Sequence, residues 1–450
     1  MNEKAYAEGR DLETLNCQTE IMELEDSTID QQTQLNYRIW KKNTPYLYDY
    51  ISTNSLLWPS LTVQFFPDLE LSSKKEYNTS LKKESNDYDV NYQRLLLGTF
   101  TLGESVDNIS ILQLPSYRNL NENFSIDKLN YNYDKKEFEI PTLTKKKINV
   151  LQKINHFGDV NKARYMPQNP DIISTGNNMG DLVIYDRTKH STFKSSLISD
   201  DSNVDQPQLL LINSNQDHGS DIFAIDWNRQ KEGTIISADM KGNINVFDIR
   251  NNFVSKDDHC LYESCHFDNN KIGVNDIEWV PNHDSLFGMV DDSGRLRIFD
   301  IRDPTSSVME QKQDQSINSL SINPGNNFCI ATGDCSGTIN VCDIRTLGTK
   351  GSESPYSFKG NNESITQLKW HPKYHSVVGS CSTDKFVKFF DLANFEDQSG
   401  LMFVHGGHML GVNDFDWSLH DDWLTASVAD DNSLHIWKPA DQVISSYSSK

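Results

Sequence analysis

The sequence predicts an all-β protein: a seven-bladed β-propeller with an N-terminal α-helix packed on the side of its disc. The first observation is a repeated unit, in which a large apolar residue that ends one strand lies 20 residues before the residue that closes the last strand. The second is the alternation of apolar and polar residues within the strands, and the third is the glycine in the tight turns between them. A four-stranded repeat with a period in the forties is typical of a propeller.

Six copies of this unit share the same spacing. The residues that end their first strands, which we call the anchors, are Tyr165, Trp227, Trp279, Ile322, Trp370 and Trp417, and the closing residues are Tyr185, Phe247, Phe299, Cys342, Phe390 and Trp437. A divergent seventh copy is predicted upstream, with Phe65 as its anchor. Because Trp437 closes only a third strand, the outer strand of the last blade is expected from the residues just before Trp58, which would close the ring.

The segments outside the repeats are simpler. Residues 1–30 are acidic and polar and are predicted to be disordered, whereas residues 31–52 have helix-like apolar spacing and are predicted to form a helix. The propeller is predicted over residues 53–440, with polar insertions at 68–92, 116–143 and 188–217, and a polar tail is predicted at 441–450.

The composition narrows the class of protein. The 450 residues carry a formal net charge of −22, which argues against binding nucleic acid over a broad face, because phosphate contacts need clustered Lys and Arg. The same charge suits a basic partner. No apolar run approaches the length of a membrane span, and no secretory signal is visible at the N-terminus. Seven cysteines without a paired framework indicate reduced thiols of the cytosol or nucleus.

Several longer strings resemble a known family. Residues 37–50 (YRIWKKNTPYLYDY), 58–67 (WPSLTVQFFP), 163–170 (ARYMPQNP) and 405–408 (HGGH) are similar to segments of the retinoblastoma-associated histone-binding WD40 family. The blades look like WD40 repeats, although the Trp-Asp signature is degraded, since Lys438 follows Trp437. Within the family, residues 405–414 and 435–440 look most like the fungal small (third) subunits of chromatin assembly factor 1.

This resemblance implies a histone chaperone that binds histones H3 and H4 for replication-coupled nucleosome assembly, together with the two larger subunits of chromatin assembly factor 1. It implies a nuclear protein with a cytoplasmic pool and without a direct, specific nucleic-acid or membrane partner. Two alternatives stay open: the WD40 histone-binding subunit of the type B histone acetyltransferase, and a non-histone signalling adaptor. An adaptor that reads acidic or phosphorylated motifs would need a basic face on the disc.

Acidic and amide residues recur near the start of successive innermost strands, and we expect them to cluster around the channel on one face, the top face. They are Asp159, Asn161, Asp221, Asn275, Asp276, Glu363 and Asp414. Carboxylates there can bind Arg and Lys of an extended peptide, and in the family this face takes the N-terminal tail of histone H3. The alternative is structural, because an Asp before a strand often caps a turn.

The resemblance also implies a groove on the side of the disc, where the family buries a helix of histone H4 between its N-terminal helix and a loop of the sixth blade. The matching positions are Tyr46, Leu47 and Tyr50 on the helix and Phe403 and Val404 before His405. An apolar groove that takes an amphipathic helix is a common recognition mode. Alternatively, these residues pack the helix onto the seventh blade. The corresponding loop here, residues 393–400, is short and has two acids.

Catalytic and metal chemistry receive little support from the sequence. It has no phosphate loop, zinc-protease motif or CxxC pair, and we interpret Cys260 and Cys265 as connector residues despite their flanking histidines. His408, Ser427, Asp431 and Trp437 resemble the hydrogen-bonded set that stiffens WD40 blades, and we do not interpret them as a hydrolase triad. We therefore expect no enzyme activity, no cofactor and no metal site.

Overall fold

The computed structural model describes residues 29–71, 90–117, 130–134, 137–139, 148–192, 204–212, 220–250, 260–348, 356–395 and 400–448. Within these residues, seven β-sheets surround a central channel and form a seven-bladed propeller, which confirms the predicted fold class. Residues 1–28, most of the segment predicted to be disordered, lie outside the described residues, as do parts of the three predicted insertions.

The chain begins its described path with helix α1 (Gln31–Leu47) and strand β1 (Tyr48–Ser55), and then builds the blades in order. The first blade contains β2 (Val63–Leu71), β3 (Val90–Gly98), β4 (Asp107–Tyr117) and β7 (Asn149–His156), with the hairpin β5 (Asn130–Asn132) and β6 (Glu137–Glu139) inserted before β7. The second contains β8 (Val160–Met166), β9 (Asn169–Asn177), β10 (Leu182–Asp186) and β11 (Leu209–Ile212). The third contains β12 (Ile222–Trp227), β13 (Thr234–Asp239), β14 (Asn243–Asp248) and β16 (Cys265–Asp268), and β15 (Cys260–Tyr262) adds a parallel fifth strand to the second blade.

The remaining blades are regular four-stranded sheets. The fourth contains β17 (Val274–Trp279), β18 (Leu286–Asp291), β19 (Arg295–Asp300) and β20 (Met309–Lys312), and the fifth contains β21 (Ile317–Ile322), β22 (Cys329–Asp334), β23 (Thr338–Asp343) and β24 (Tyr356–Lys359). The sixth contains β25 (Ile365–Trp370), β26 (Val377–Ser382), β27 (Val387–Asp391) and β28 (Leu401–His405). The seventh contains β29 (Val412–Trp417), β30 (Thr425–Ala429), β31 (Ser433–Pro439) and β1, and helix α2 (Asp441–Ser448) follows it.

The ring is closed by strand β1, which supplies the outer strand of the seventh blade as predicted. It pairs antiparallel with β31, from Tyr48 opposite Pro439 to Ser55 opposite Ser433. Segments close to the two ends of the described chain therefore share one sheet. Closure of this kind gives the last blade the same four strands as its neighbours.

The anchor residues predicted from the repeat are buried between blades. All seven are at most 9% exposed, and in four blades the indole Nε1 of the Trp anchor donates to a backbone carbonyl of the preceding blade. These bonds join Trp227 to Arg164, Trp279 to Asp226, Trp370 to Ser321 and Trp417 to Lys369. Trp recurs at this position because it fills the space between two blades and satisfies its own N–H there.

A second set of hydrogen bonds joins the blades along the channel. The residue just before each anchor lines the channel, and in five blades its side chain accepts from the backbone N–H of the next blade's anchor. The pairs are Gln64 with Tyr165, Asp226 with Trp279, Glu278 with Ile322, Ser321 with Trp370 and Asp416 with Phe65. The other two blades have Arg164 and Lys369 at this position, and those side chains cannot accept a hydrogen bond.

Helix α1 is shorter than predicted. Its first turn is capped by Asp30, whose carboxylate accepts from the backbone N–H of Thr33 at 2.8 Å. Pro45 cannot donate to the Lys41 carbonyl, and the Thr44 hydroxyl donates to that carbonyl instead at 2.9 Å, so the helix continues to Leu47. At Tyr48 the backbone becomes extended, because pairing with β31 satisfies its polar groups better than another helical turn. The prediction of one helix over 31–52 is therefore wrong after Leu47.

Regular structure also occurs in other predicted segments, and the hairpin β5–β6 lies within the insertion predicted at 116–143. The polar tail predicted at 441–450 forms helix α2, whose Ile444 is buried and whose Val443 packs against the same apolar cluster. The insertion predicted at 188–217 includes β11, whose alternate residues Leu209 and Leu211 are buried. In both segments, a few apolar residues among polar neighbours were enough to form an element against an existing sheet. Neither described helix is long and apolar enough to span a bilayer.

The residue after the anchor caps the turn that follows the innermost strand. His371 accepts from the backbone N–H groups of Lys373 and Tyr374 through Nδ1, and Asn228 and Asn323 make the same two bonds in other blades with a side-chain oxygen. Burial against Trp417 and Trp423 lowers the pKa of His371 from 6.5 to about 4. Its neutral form is therefore part of the folded structure.

Acid should destabilise the protein through this cap. Because the pKa of His371 is lower in the folded than in the unfolded chain, its contribution is complete above about pH 6.5 and is lost as the pH falls towards 4, with a loss of about 3 kcal/mol. Urea unfolding at several pH values should show that His371→Asn removes part of this pH dependence while it keeps the cap, at a cost of about 1 kcal/mol in ring stacking at neutral pH. If the free energy of unfolding of His371→Asn depends on pH as steeply as that of the parent, this role of His371 is contradicted.

Candidate binding surfaces

The residues predicted for the top face divide into buried and accessible groups. Asp276 and Asp414 lie within β17 and β29 and face the channel, where they are 7% and 1% exposed. Asp276 accepts from the Leu320 N–H and the Ser319 hydroxyl, and Asp414 accepts from the Val63 N–H. Both carboxylates therefore join their blade to the next one, which corrects the expectation that they lie in an open ring.

Asp414 is also the centre of an ionic cluster. Its carboxylate lies 3.0 Å from Lys369 Nζ and 3.4 Å from an Arg164 guanidinium nitrogen. Burial by itself would raise the pKa of Asp414, but Lys369, Arg164 and Lys162 lower it to about 2. A carboxylate held in this way stays ionised at every physiological pH, and it is already neutralised from within the channel.

Two more predicted residues are internal. Asp159 is 2% exposed and accepts from the backbone N–H groups of Thr101 and Leu102 at 2.9 and 2.8 Å, so it connects the first two blades. Asn161 is equally buried and donates to Asp221 at 3.3 Å. Asp159 and Asn161 therefore have the structural role that was the alternative to peptide binding.

The accessible part of the top face consists of other carboxylates. Asp221 is half-buried and Glu363 is exposed, as a peptide-binding role requires. Asn275 is half-buried and donates to Asp292, an exposed acid in the turn between β18 and β19, and Asn413 donates in the same way to the exposed Asp430. Asp292 and Asp430 were not predicted from the sequence, because they lie in the turns between the second and third strands of their blades and not before an innermost strand.

The residues predicted for the side groove also divide into exposed and buried positions. Tyr46 is 41% exposed and Leu47 and Val404 are half-buried, but Phe403 is 4% exposed and its ring packs against Tyr48 and Trp437. Helix α2 lies against β28 and places Ile444 in the same apolar cluster. Phe403 is therefore a core residue, which corrects its expected place on the groove surface.

Tyr50 lies on strand β1 and not on the helix. It is half-buried and packs beside the apolar cluster between the seventh and first blades, and burial raises its pKa to about 12. The exposed apolar residues of this region lie instead on the outer face of α1. Leu35 and Ile39 are 49% and 50% exposed and are one turn apart, and Tyr46 continues their stripe two turns later.

The opposite face of α1 is held to the propeller by a buried chain of hydrogen bonds. Trp40 Nε1 donates to Tyr48 Oη at 2.9 Å, and Tyr48 Oη lies 2.8 Å from His405 Nδ1. His405 Nε2 is 3.0 Å from His435 Nδ1. Because an indole N–H can only donate, the Tyr48 hydroxyl accepts from Trp40, and its own hydrogen is free to be donated to a neutral His405. Burial lowers the pKa of His405 and of His435 well below the usual value, which agrees with that order.

His405, His408 and His435 form the one group of described residues whose donor atoms are close enough to hold a metal ion, since they lie within 4.8 Å of one another. Five of their six ring nitrogens already contact other side chains. His405 uses both of its nitrogens in the chain to Tyr48 and His435, and His408 contacts Ser433 and Ser427 at 2.7 and 2.8 Å. These bonds account for the close approach of the three rings.

His408, Ser427, Asp431 and Trp437 lie close together in the seventh blade and the segment that leads into it. Ser427 Oγ lies 2.8 Å from His408 Nε2 and accepts from Trp437 Nε1 at 3.1 Å, and Asp431 reaches His408 through the hydroxyl of Ser433. The Ser427 hydroxyl is thus buried between a His and a Trp, with no space for a substrate. Cys260 and Cys265 lie on the adjacent outer strands β15 and β16, and His266 contacts Asn245 at 2.8 Å.

Comparison with known proteins is consistent with this architecture. The family model for the histone-binding protein RBBP4, or the C subunit of the CAF1 complex, matches residues 36–118, which contain most of α1, β1 and most of the first blade. The WD domain, G-beta repeat model matches residues 352–391 and 400–438, in the fifth to seventh blades. The chain is 33% identical over 446 residues to the histone-binding protein MSI1 of Saccharomyces cerevisiae, and the alignment covers 93% of this chain and 97% of that protein.

Proposed function

The chain belongs to the RBBP4/CAF1 family of histone-binding WD40 proteins, a family of non-catalytic scaffolds, and we propose that it is the H3–H4-binding subunit of a chromatin assembly factor 1 complex. In this role it delivers histones for replication-coupled nucleosome assembly, in the nucleus and from a cytoplasmic pool, with the two larger subunits as partners. The observation that carries the proposal is the segment matched by the family model. It contains most of helix α1, on whose outer face Leu35 and Ile39 are 49% and 50% exposed.

The stripe of Leu35, Ile39 and Tyr46 is the proposed contact for an amphipathic helix of histone H4. Trp40 and Thr44 hold the inner face of α1 on the disc, so the outer face keeps a fixed orientation. Leu47, Tyr50 and Val404 border this surface as half-buried residues, whereas Phe403 supports it from the core. A rigid helix with an exposed apolar stripe recognises a partner helix through residues spaced by three or four positions.

The top face is the proposed site for the tail of histone H3. Asp221, Glu363, Asp292 and Asp430 offer carboxylates there, and exposed apolar side chains lie near them in the first three blades. These are Leu102, Phe157, Met179 and Phe223. A basic tail with interspersed apolar residues is complementary to such a surface, and the net charge of −22 adds long-range attraction for a basic partner.

Polar substitution of the stripe should weaken histone binding without unfolding the protein. Leu35→Asp with Ile39→Asp removes two exposed apolar contacts and should raise the Kd for an H3–H4 complex by about tenfold or more. Calorimetric titration measures the affinity, and the thermal transition should stay within a few degrees of the parent. Val308→Asp with Phe328→Asp is the matched control, because these side chains are 53% and 47% exposed but lie on the fourth and fifth blades, outside α1 and the top face. Equal losses for both variants would remove α1 from the proposed interface.

The two groups of top-face acids should respond differently to substitution. Asp221→Lys with Glu363→Lys should weaken the binding of an H3-tail peptide, measured by fluorescence anisotropy, and should leave the free energy of unfolding nearly unchanged. Asp414→Ala should instead lower that free energy by about 3–5 kcal/mol, because it removes the buried carboxylate that pairs with Arg164 and Lys369, of which only Lys369 keeps a second acid, Asp416. A destabilised Asp221/Glu363 variant, or an unaltered peptide affinity, would assign those acids a structural role.

The complex to which the chain belongs is tested by its partners. Purification of the tagged chain from its own cells, followed by mass spectrometry, should recover the two larger subunits of chromatin assembly factor 1 with histones H3 and H4. Recovery of a histone acetyltransferase in place of those subunits would identify the type B acetyltransferase complex instead. Recovery of neither complex, with no histones, would support a non-histone adaptor and contradict the proposal.

A further inference from the structure

The bottom face of the disc, where the innermost strands end, has a cavity that none of the roles above uses. Its volume is about 450 Å³, and its walls are the channel-lining residues just before the anchors. Its inner end is formed by Lys162, whose ammonium crosses the channel from the second blade and donates to Gln367 of the sixth blade at 2.8 Å. Gln367 in turn contacts Ser319 at 3.2 Å. This brace separates the cavity from the top face.

The charges in the wall are unevenly paired. Lys369 lies 3.2 Å from Asp416 and 3.0 Å from Asp414, so the cationic side of the cavity is neutralised from within. Asp226 and Glu278, on the neighbouring third and fourth blades, each use one carboxylate oxygen to accept a backbone N–H from the next blade. Among the described residues, neither has a cation within ion-pair distance through its second oxygen.

Burial raises the pKa of both Glu278 and Asp226, and the charge of Asp226 raises the pKa of Glu278 further. Both side chains line the same wall of the cavity. A cation placed between them would relieve this repulsion and favour their ionised forms. Arg229 is a cation on the rim, and its charge lowers the pKa of both acids. Because its side chain is exposed, solvent weakens this interaction.

The rim of the cavity is apolar and rigid. Two residues after the anchor, five of the seven blades have a proline, and a sixth has Leu419, which is 50% exposed. The prolines are Pro67, Pro167, Pro281, Pro324 and Pro372. Proline has no N–H to offer, and its ring packs well against aliphatic carbon. An apolar rim above paired carboxylates suits a long side chain with an aliphatic stem and a charged end.

We propose that this cavity binds an arginine side chain of a basic polypeptide, with the guanidinium between Asp226 and Glu278 and its stem against the proline rim. Arginine is favoured over lysine because a planar guanidinium can donate to two carboxylates at once. The volume exceeds that of one side chain, so the neighbouring residues of the polypeptide enter the mouth with it. The site lies on the opposite face from the proposed histone H3 surface, and it does not depend on that function.

The test is a titration of the full chain with a fluorescein-labelled oligoarginine peptide, at about pH 8 and physiological salt, where both acids can ionise around a cation. Asp226→Asn with Glu278→Gln keeps the oxygens that accept the two backbone N–H groups, and it should weaken binding about tenfold. Asp303→Asn with Asp314→Asn removes the same charge from exposed positions elsewhere and should change the affinity by less than about twofold. An oligocitrulline peptide, which has the shape without the charge, should bind no variant.

Arg229→Gln tests the opposite change, because it removes a positive charge from the rim of the cavity. Arg229 is exposed, so the variant should fold normally, and removal of its competing charge should tighten oligoarginine binding about two- to threefold. Equal losses in the two double variants would reduce the effect to net charge and overturn the proposal. Unchanged affinity in Asp226→Asn/Glu278→Gln, or weaker binding in Arg229→Gln, would overturn it as well.

Discussion

The pairing of strand β1 with β31 is the interaction on which the rest of the molecule depends. It completes the seventh blade with residues that precede the first one, so the blade that closes the ring is built from both ends of the described chain. The same pairing fixes helix α1, since the helix ends at Leu47 and the strand begins at the next residue. The chain from Trp40 through Tyr48 to His405 then ties the helix to the sixth and seventh blades. A partner that binds the outer face of α1 therefore meets a surface fixed by closure of the propeller.

The channel shows how one repeated position acquires different roles. A side chain that can accept a hydrogen bond joins its blade to the next, as Ser321 and Asp416 do. Where the position has Arg164 or Lys369, the side chain neutralises Asp414 instead. Asp226 and Glu278 join blades but still have unneutralised charge. Several residue types can make the inter-blade hydrogen bond at this position. The charge of the channel wall can therefore differ from blade to blade.

Much of the fold could be predicted from the sequence because its signals are local. The spacing from anchor to closing residue, the seventh copy at Phe65 and the closing strand before Trp58 all follow from strand length and side-chain alternation, and the structure has them. The end of α1 could not be predicted, because residues 48–52 have helix-compatible apolar spacing and only pairing with a strand almost 400 positions away makes them extended. For the same reason the short helix α2 could not be told from a polar tail. The burial of Phe403 and Asp414 likewise depends on residues distant in the sequence, so residue type alone could not separate core from surface.

The net charge of the sequence is −22, and the acids among the described residues occupy two kinds of position. Carboxylates such as Asp414 and Asp159 are enclosed by internal donors or cations, so they add little to the field outside the protein. Exposed acids such as Glu363 and Asp292 produce that field, and they attract any basic partner without choosing among such partners. Specificity for one partner requires a surface of fixed geometry, which the outer stripe of α1 and the top face supply. Long-range attraction and local shape thus arise from different residues, and each can be changed by substitution without loss of the other.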